Sequence, residues 1–203
     1  MTRACYDERV AQTIGIVLAG GEGRRFGTPK GAVVLGGSTL ADRAARALKP
    51  LCGSVLISVA KGDANPAPDH APVEDLGARR GPLGGLAAAF AATGQADLLV
   101  LACDYPAVGT SFLRSLVAAS DGEGDVVFPV DPTGRDHPLV ALWRRSAEAV
   151  VLRALDEGAL KVQALLADLA VRRLPAQVFP NFDLRRVLSN VNWPEDLDAF
   201  RDA

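Results

Sequence analysis

The chain predicts an α/β fold of three layers, with a mainly parallel sheet and helices on both faces, on three observations. Short apolar runs alternate with longer helical stretches, the pattern of successive βαβ units. Residues 97–103 are rich in Leu and Val without polar alternation, as expected of a strand covered on both faces. The first apolar run breaks directly into glycines, where a strand of such a sheet turns toward its helix.

The elements follow in order. Ile14, Ile16, Val17 and Leu18 form a short buried strand. Ser38 is placed to cap a helix through Leu48, with Leu40, Ala44, Ala47 and Leu48 inward and Pro50 ending it. Residues 54–60 form the second strand, and 61–72 read as a proline-rich loop leading to Val73-Glu-Asp75. Gly81-Pro-Leu-Gly-Gly85 opens an alanine-rich helix to Thr93, with Pro82 suited to a first helical position. The strand at 97–103 ends in Asp104-Tyr-Pro106. A helix over 110–119 and strands at 125–130 and 137–143 come next. Beyond Ser146 the pattern is helical at 147–155 and 162–169, with short strands at 171–174 and around Phe179, and Pro194 starts a helix to Phe200. With no repeat, low-complexity tract or linker, residues 1–203 read as one domain, residues 1–12 being a flexible extension.

A chain of 203 residues buries about 70% of its unfolded surface. Its 49% hydrophobic and 23% charged residues exclude the disordered class. No apolar run reaches the roughly 18 residues of a membrane span, and no secretory apolar region opens the chain. Cys5, Cys52 and Cys103 are odd in number and widely spaced, which disfavours both a disulfide framework and a zinc site and fits a reducing cytoplasm. A net charge of −2 gives no global field for a nucleic acid. Phosphate binding must come from local placement.

The loop after the first strand supplies that placement. Gly20, Gly21, Gly23 and Gly27 let backbone approach phosphate oxygens, and Arg24, Arg25 and Lys30 bring positive charge. The pattern Gly21-x-Gly23-x-x-x-Gly27 is not the dinucleotide fingerprint, and Thr28-Pro29 after Gly27 rules out the P-loop. A triphosphate loop of a third kind, or an ordinary glycine-rich turn with surface arginines, remains. Asp104 stands at a strand end, where ligands of open α/β sheets bind; its carboxylate suits Mg²⁺ shared with phosphate oxygens, or the capping of the next helix. Asp75 faces the same crevice or is simply solvated. Gly81–Gly85 offers free amides at a helix start, or close packing of helix on sheet. Arg135 and His137 lie in Arg135-Asp-His-Pro138, His137 being a substrate contact or a structural turn histidine. Asn190 and Asn192 precede Pro194 and would bind a polar ring or turn the chain.

Taken together, Leu18-Ala-Gly-Gly21, Arg25, Gly27, Lys30, Asp75, Gly81-Pro-Leu-Gly-Gly85, Cys103-Asp104-Tyr-Pro106, Arg135-Asp-His-Pro138 and Asn190-Val-Asn192 make the chain resemble the molybdenum cofactor guanylyltransferases across nearly its whole length. The resemblance implies a Rossmann-like, nucleotide-diphospho-sugar-transferase-like sheet. It also implies transfer of GMP from GTP to the phosphate of Mo-molybdopterin, with release of pyrophosphate. It places Leu18, Ala19, Gly20, Gly21, Lys30, Ser58, Asp75, Gly81, Gly85 and Asp104 on the nucleotide, with Arg25, Lys30 and Asp104 in the transfer itself and Mg²⁺ on Asp104. Arg135, His137, Asn190 and Asn192 fall on the pterin side, and a cofactor-delivery protein or molybdoenzyme is the protein partner it allows. Ser58 stands where the family commonly has Asn, and Pro29 where an acidic residue is common. Two other readings compete: a cytidylyltransferase acting on molybdopterin or on a sugar or polyol phosphate, and a non-catalytic nucleotide-binding accessory module. Gly20 favours the guanylyl branch, since cytidylyl relatives usually carry Ala there.

Overall fold

A computed structural model describes residues 12–20, 25–76, 80–158 and 161–200. The expected flexible extension therefore lies, but for Gln12, outside the described residues. Strands β1 (Thr13–Leu18), β4 (Ser54–Val59), β5 (Ala71–Glu74), β6 (Asp97–Ala102), β7 (Val126–Pro129), β8 (Val140–Trp143) and β9 (Val171–Leu174) form one sheet in the order β5-β4-β1-β6-β8-β7-β9. A small hairpin, β2 (Val34–Leu35) with β3 (Ser38–Thr39), stands apart from it. Among the described residues the helices are α1 (Leu40–Leu48), α2 (Gly81–Thr93), α3 (Thr110–Ala119), α4 (Glu148–Asp156) and the single turns α5 (Val162–Leu165) and α6 (Leu184–Val187).

β1 is the centre of the molecule because it is apolar toward both faces. It pairs in parallel with β4 on one side and β6 on the other, Leu18 opposite Ser58 and Ala102. Ile16, Val17, Leu99 and Val100 are fully buried. Helix α1 packs beside α3, and α2 beside α4, which gives the helical layers. Gly15 permits close approach: a Cβ there would stand 3.1 to 3.2 Å from Val55, Cys52 and Leu48.

Three expectations shift for local reasons. Ser38 does not cap α1; it pairs with Leu35 in the hairpin, whose turn uses Gly36 and Gly37 at φ +59 and +82. Thr39 is the cap, its Oγ1 accepting from the Asp42 amide at 3.0 Å. The end of the proline-rich loop becomes β5, an edge strand that tolerates Pro72 and pairs in parallel with β4. β8 runs antiparallel to both β6 and β7. The ten residues between β7 and β8 are too few for a crossover helix, and a Val130–Asp136 bridge folds them back as a hairpin-like connection.

The C-terminal part is less helical than its pattern suggests. The helix expected over 162–169 is one turn followed by a 3₁₀ turn, Leu166–Asp168. The Asp125 carboxylate then takes the Ala170 amide at 2.8 Å and draws the chain out into β9. Around Phe179 there is a 3₁₀ turn, Ala176–Val178, in place of a strand; Phe179 packs on Phe112 with ring centroids 4.9 Å apart. Pro194–Phe200 is likewise 3₁₀.

Candidate active site

β1, β4, β5 and β6 are mutually parallel, so Leu18, Ser58, Asp75 and Asp104 emerge at one edge of the sheet. That edge holds a crevice whose deep part is a cavity of about 100 Å³. Leu18, Gly20, Lys30, Ser58, Asp75, Gly81 and Asp104 line it. The motifs named from sequence thus converge although they lie far apart in the chain.

On the β4–β5 side the wall is fixed by contacts that leave little room. The Ser58 hydroxyl, 1% exposed, donates to Asp75 Oδ1, and the Ser58 carbonyl accepts the Ala19 amide at 3.1 Å. The Asp75 amide donates to Val59 O at 2.9 Å. Burial raises the Asp75 pKa and repulsion from Asp63 adds to it, while the Ser58 hydrogen bond pulls it back. A partly desolvated carboxylate of this kind gains when a ligand brings it hydrogen-bond donors.

Glycines clear the space around this pair. A Cβ on Gly20 would lie 3.2 Å from Asp75 Oδ2. A Cβ on Gly85 would overlap Ser58 Oγ and lie 2.9 Å from Leu18 Cδ2. Gly85 therefore sits behind the wall and lets α2 press against the sheet, the packing alternative, whereas Gly81 lines the crevice at the start of α2, where φ +57 suits glycine. Ala19 is buried and holds the loop through its amide. Gly21 and Arg24 lie outside the described residues.

On the β6 side the polar groups are charged. Lys30 Nζ donates to Asp104 Oδ2 at 2.9 Å and to Asn192 Oδ1 at 3.2 Å. Both ends of the Lys30–Asp104 pair are about one-fifth exposed. The other carboxylate oxygen, Asp104 Oδ1, is buried and has no hydrogen-bond partner among the described residues. An anionic oxygen in that state is costly unless a cation or donor reaches it. No group of three or more His, Cys, Asp and Glu gathers among the described residues, and the carboxylates lining the cavity there are Asp104 and, across β1, Asp75. That suits Mg²⁺, which takes one or two carboxylates and completes its shell with water and phosphate.

The C-terminal segment closes this side. The Val191 amide donates to the Asp104 carbonyl at 2.8 Å, tying the segment to the end of β6. Asn190 Nδ2 lies 3.5 Å from Asn192 Oδ1. Asp196 Oδ2 accepts the Asn192 amide at 2.7 Å and the Trp193 amide at 2.9 Å. The two backbone hydrogen bonds lower the Asp196 pKa. Arg25 stacks on the Trp193 ring, 4.1 Å from its centroid, so its guanidinium stands beside this segment.

His137 offers the crevice no free atom. It is 1% exposed, its Nδ1 is 3.2 Å from the Tyr105 hydroxyl, and its Nε2 is 3.2 Å from Asp131 Oδ2. It is the structural turn histidine, and the pterin-side expectation for it is corrected on that geometry. Burial lowers its pKa against the pull of Asp131, which favours the neutral ring. Burial works against the Asp131 carboxylate too, but hydrogen bonds from Thr133, Arg135 and His137 outweigh it and lower its pKa. Arg135 is exposed in the same turn and does not line the cavity.

Sequence reasoning missed the contacts of Trp193 and Asp196, which order the segment beside Lys30 and Asp104. The signal was present in Asn192-Trp-Pro-Glu-Asp196, where an aspartate follows a turn by four residues; its carboxylate reaches back to amides, as Asx and capping carboxylates do. Pro82, Ala102, Cys103 and Leu139 also line the cavity and carried no chemical signal.

Residues 15–174 match the model of the MobA-like NTP transferase domain. A molybdenum cofactor guanylyltransferase of Acidiphilium cryptum is 36% identical over 191 residues, 91% of each chain. A probable molybdenum cofactor guanylyltransferase of Chloroflexus aggregans is 33% identical over 189 residues, 90% of each. Among solved structures, molybdopterin-guanine dinucleotide biosynthesis protein A from Archaeoglobus fulgidus superimposes with a TM-score of 0.77 at 27% identity, covering 93% of this chain and 97% of that one. The 2-C-methyl-D-erythritol 4-phosphate cytidylyltransferase of Thermus thermophilus shares the fold, with a TM-score of 0.68 at 17% identity over 92% and 96% of the two chains.

Proposed function

The chain belongs to the MobA-like NTP transferase family, and from that premise we propose that it transfers GMP from GTP to the phosphate of Mo-molybdopterin, as a Mg²⁺-dependent enzyme. The observation that carries this reading is Asp104: one oxygen held by Lys30, the other buried with no hydrogen-bond partner among the described residues.

In this reading the nucleoside lies against Ser58 and Asp75, and the triphosphate runs past Gly20 and the Gly81 amide toward Lys30. Asp75, raised in pKa by burial, takes hydrogen bonds from the nucleoside. An acceptor phosphate oxygen attacks the α-phosphorus, the bond to the β-phosphate oxygen breaks, and pyrophosphate leaves. The acceptor is already anionic, so no side chain need remove a proton. Lys30 offsets charge on the oxygens of the reacting phosphorus, and Asn192 fixes the direction of its ammonium group. Arg25, from its place on Trp193, adds positive charge at the mouth. Mg²⁺ bound through Asp104 would supply further neutralisation of the triphosphate.

Gly20 supports guanine over cytosine. An alanine there would press on Asp75 Oδ2 at 3.2 Å and narrow the nucleoside end of the crevice. Asn190 and Asn192 serve the pterin side. Cys52 and Cys103 are buried free thiols, and burial pushes Cys52 up to about 12, which makes it a poor nucleophile.

The test is pyrophosphate release with molybdopterin, molybdate and Mg²⁺, run with GTP and with CTP. The reading expects release with GTP and a much weaker response to CTP. Preference for CTP would transfer the chain to the cytidylyl reading, and nucleotide binding without release would favour the accessory module.

A further inference from the structure

Among the described residues, the large apolar side chains left exposed are Val34, Leu76, Val178 and Trp193. Of these, Trp193 follows directly on a residue whose side chain accepts from the Lys30 ammonium group. It is 50% exposed, yet it is held in place from two directions. Asp196 takes its backbone amide at 2.9 Å and that of Asn192 at 2.7 Å, which fixes the main chain. Arg25 covers the ring at 4.1 Å, which fixes the side chain. A half-exposed indole with both backbone and ring already ordered gives up little further freedom on stacking against a ligand.

Its position relative to the reacting groups narrows what that ligand is. The nucleoside end of the crevice is at Ser58 and Asp75, across β1 from Asp104. Trp193 is on the other side, joined through Asn192 to Lys30 and through Lys30 to Asp104. A group stacked on it therefore belongs to the acceptor and not to the nucleotide. Asn190, with donors and an acceptor in one amide, stands two residues away beside Asn192. A flat aromatic face next to side-chain amides recognises a planar heterocycle with polar edges.

Resting on the proposed function, we infer that Trp193 is the stacking platform for the acceptor's pterin ring system, with Asn190 meeting the ring edge and Arg25 bracing the indole from its opposite face. The platform sets acceptor affinity and leaves nucleotide affinity alone.

Equilibrium dialysis with metal-free molybdopterin, and separately with GTP and Mg²⁺, tests this on wild type and on Trp193→Ala, Trp193→Leu and Trp193→Phe. The ring is solvent-facing, so circular dichroism spectra should match wild type. Trp193→Ala and Trp193→Leu should weaken molybdopterin binding roughly tenfold or more, with GTP binding within twofold of wild type. Trp193→Phe, which keeps a flat face, should recover most of the loss. Unchanged molybdopterin binding in Trp193→Ala overturns the inference. So does recovery by Leu as full as by Phe, which would mean apolar filling without stacking. Equal losses for GTP and molybdopterin also overturn it, placing Trp193 behind Arg25 as a triphosphate residue. If wild type itself neither binds molybdopterin nor makes the dinucleotide, the proposed function has failed, and the inference with it; if wild type does both and Trp193→Ala binds as wild type does, only the inference has.

Discussion

The two walls of the crevice are built on different principles. The nucleoside wall joins residues at the ends of β1, β4 and β5, is held mainly by backbone hydrogen bonds, and owes its shape to glycines whose side chains would collide with Ser58, Leu18 or Asp75. The transfer wall is made of side chains from distant parts of the chain: Lys30 meets Asp104 74 residues later and Asn192 162 residues later. In the proposed reading the first wall is a shape that excludes, and the second is a set of charges placed where negative charge is moved. Substitutions should therefore separate cleanly, with rate lost on one wall and affinity or stability on the other.

The largest expected effect is on the transfer wall. Asp104→Ala should lower kcat by about a hundred- to a thousandfold, the scale of losing a preorganised electrostatic group, as read by pyrophosphate release. GTP binding without metal should survive. Asp104→Ala retaining full turnover would break the distinction between the walls.

Gly31→Ala tests the seam between them. A Cβ there would stand 2.9 Å from Ala19 Cβ and 3.1 Å from the Ala19 carbonyl, contacts that cannot rotate away. It should destabilise the fold by about 1 to 3 kcal/mol, measured by urea denaturation. It should also depress kcat, because Lys30 is displaced with its neighbour.

Ser58→Ala isolates the nucleoside wall. Loss of the hydroxyl leaves the half-buried Asp75 with one partner fewer and raises its pKa further. A raised folded value means that the stabilising contribution of this group is complete below the ordinary carboxylate range and is lost as pH rises through the folded value. GTP binding needs the ionised form and so runs the other way. It should weaken as pH falls, and Ser58→Ala should move that transition upward and cost about three- to tenfold in GTP Kd, on the scale of one hydrogen bond to a charged group.

These variants also show what could be read from the residues alone. Leu18, Gly20, Asp75, Gly81 and Asp104 were legible because each sits at a strand end or helix start, where local sequence dictates both the conformation and the placement at the sheet edge. The sheet itself was legible for the same reason, since β1, β4 and β6 are apolar runs that no other environment would accept. The antiparallel turn of β8 was not, because direction depends on the length of a connection closed by a bridge between Val130 and Asp136. Nor were the contacts of Trp193 and Asp196, which depend on Arg25 and on the folded course of the 190–196 segment. Ser58 was read as a nucleotide contact standing where the family commonly has Asn, and the residues alone did not show that its hydroxyl is committed to Asp75.

The smallest effect on the chemistry should come from His137→Asn. The ring bridges Tyr105 and Asp131 inside the protein, so its loss should destabilise by about 2 kcal/mol through unmade buried hydrogen bonds, with kcat and both KM values within twofold of wild type. Because burial lowers the His137 pKa below its ordinary 6.5, its contribution to stability is complete above about that pH and is lost as pH falls through the folded value. That acid-side loss should be absent from the variant. A large rise in molybdopterin KM would return His137 to the acceptor side.

The central claim is displacement at the α-phosphorus of GTP by an acceptor phosphate. The most direct measurement is incubation with molybdopterin, molybdate and Mg²⁺ using GTP labelled at either the α- or the γ-phosphate, followed by separation of the products. The account predicts α-label in a guanine dinucleotide and γ-label in pyrophosphate, in equal amounts. Transfer of γ-label to the acceptor, or α-label found only in free GMP or GDP, would contradict it.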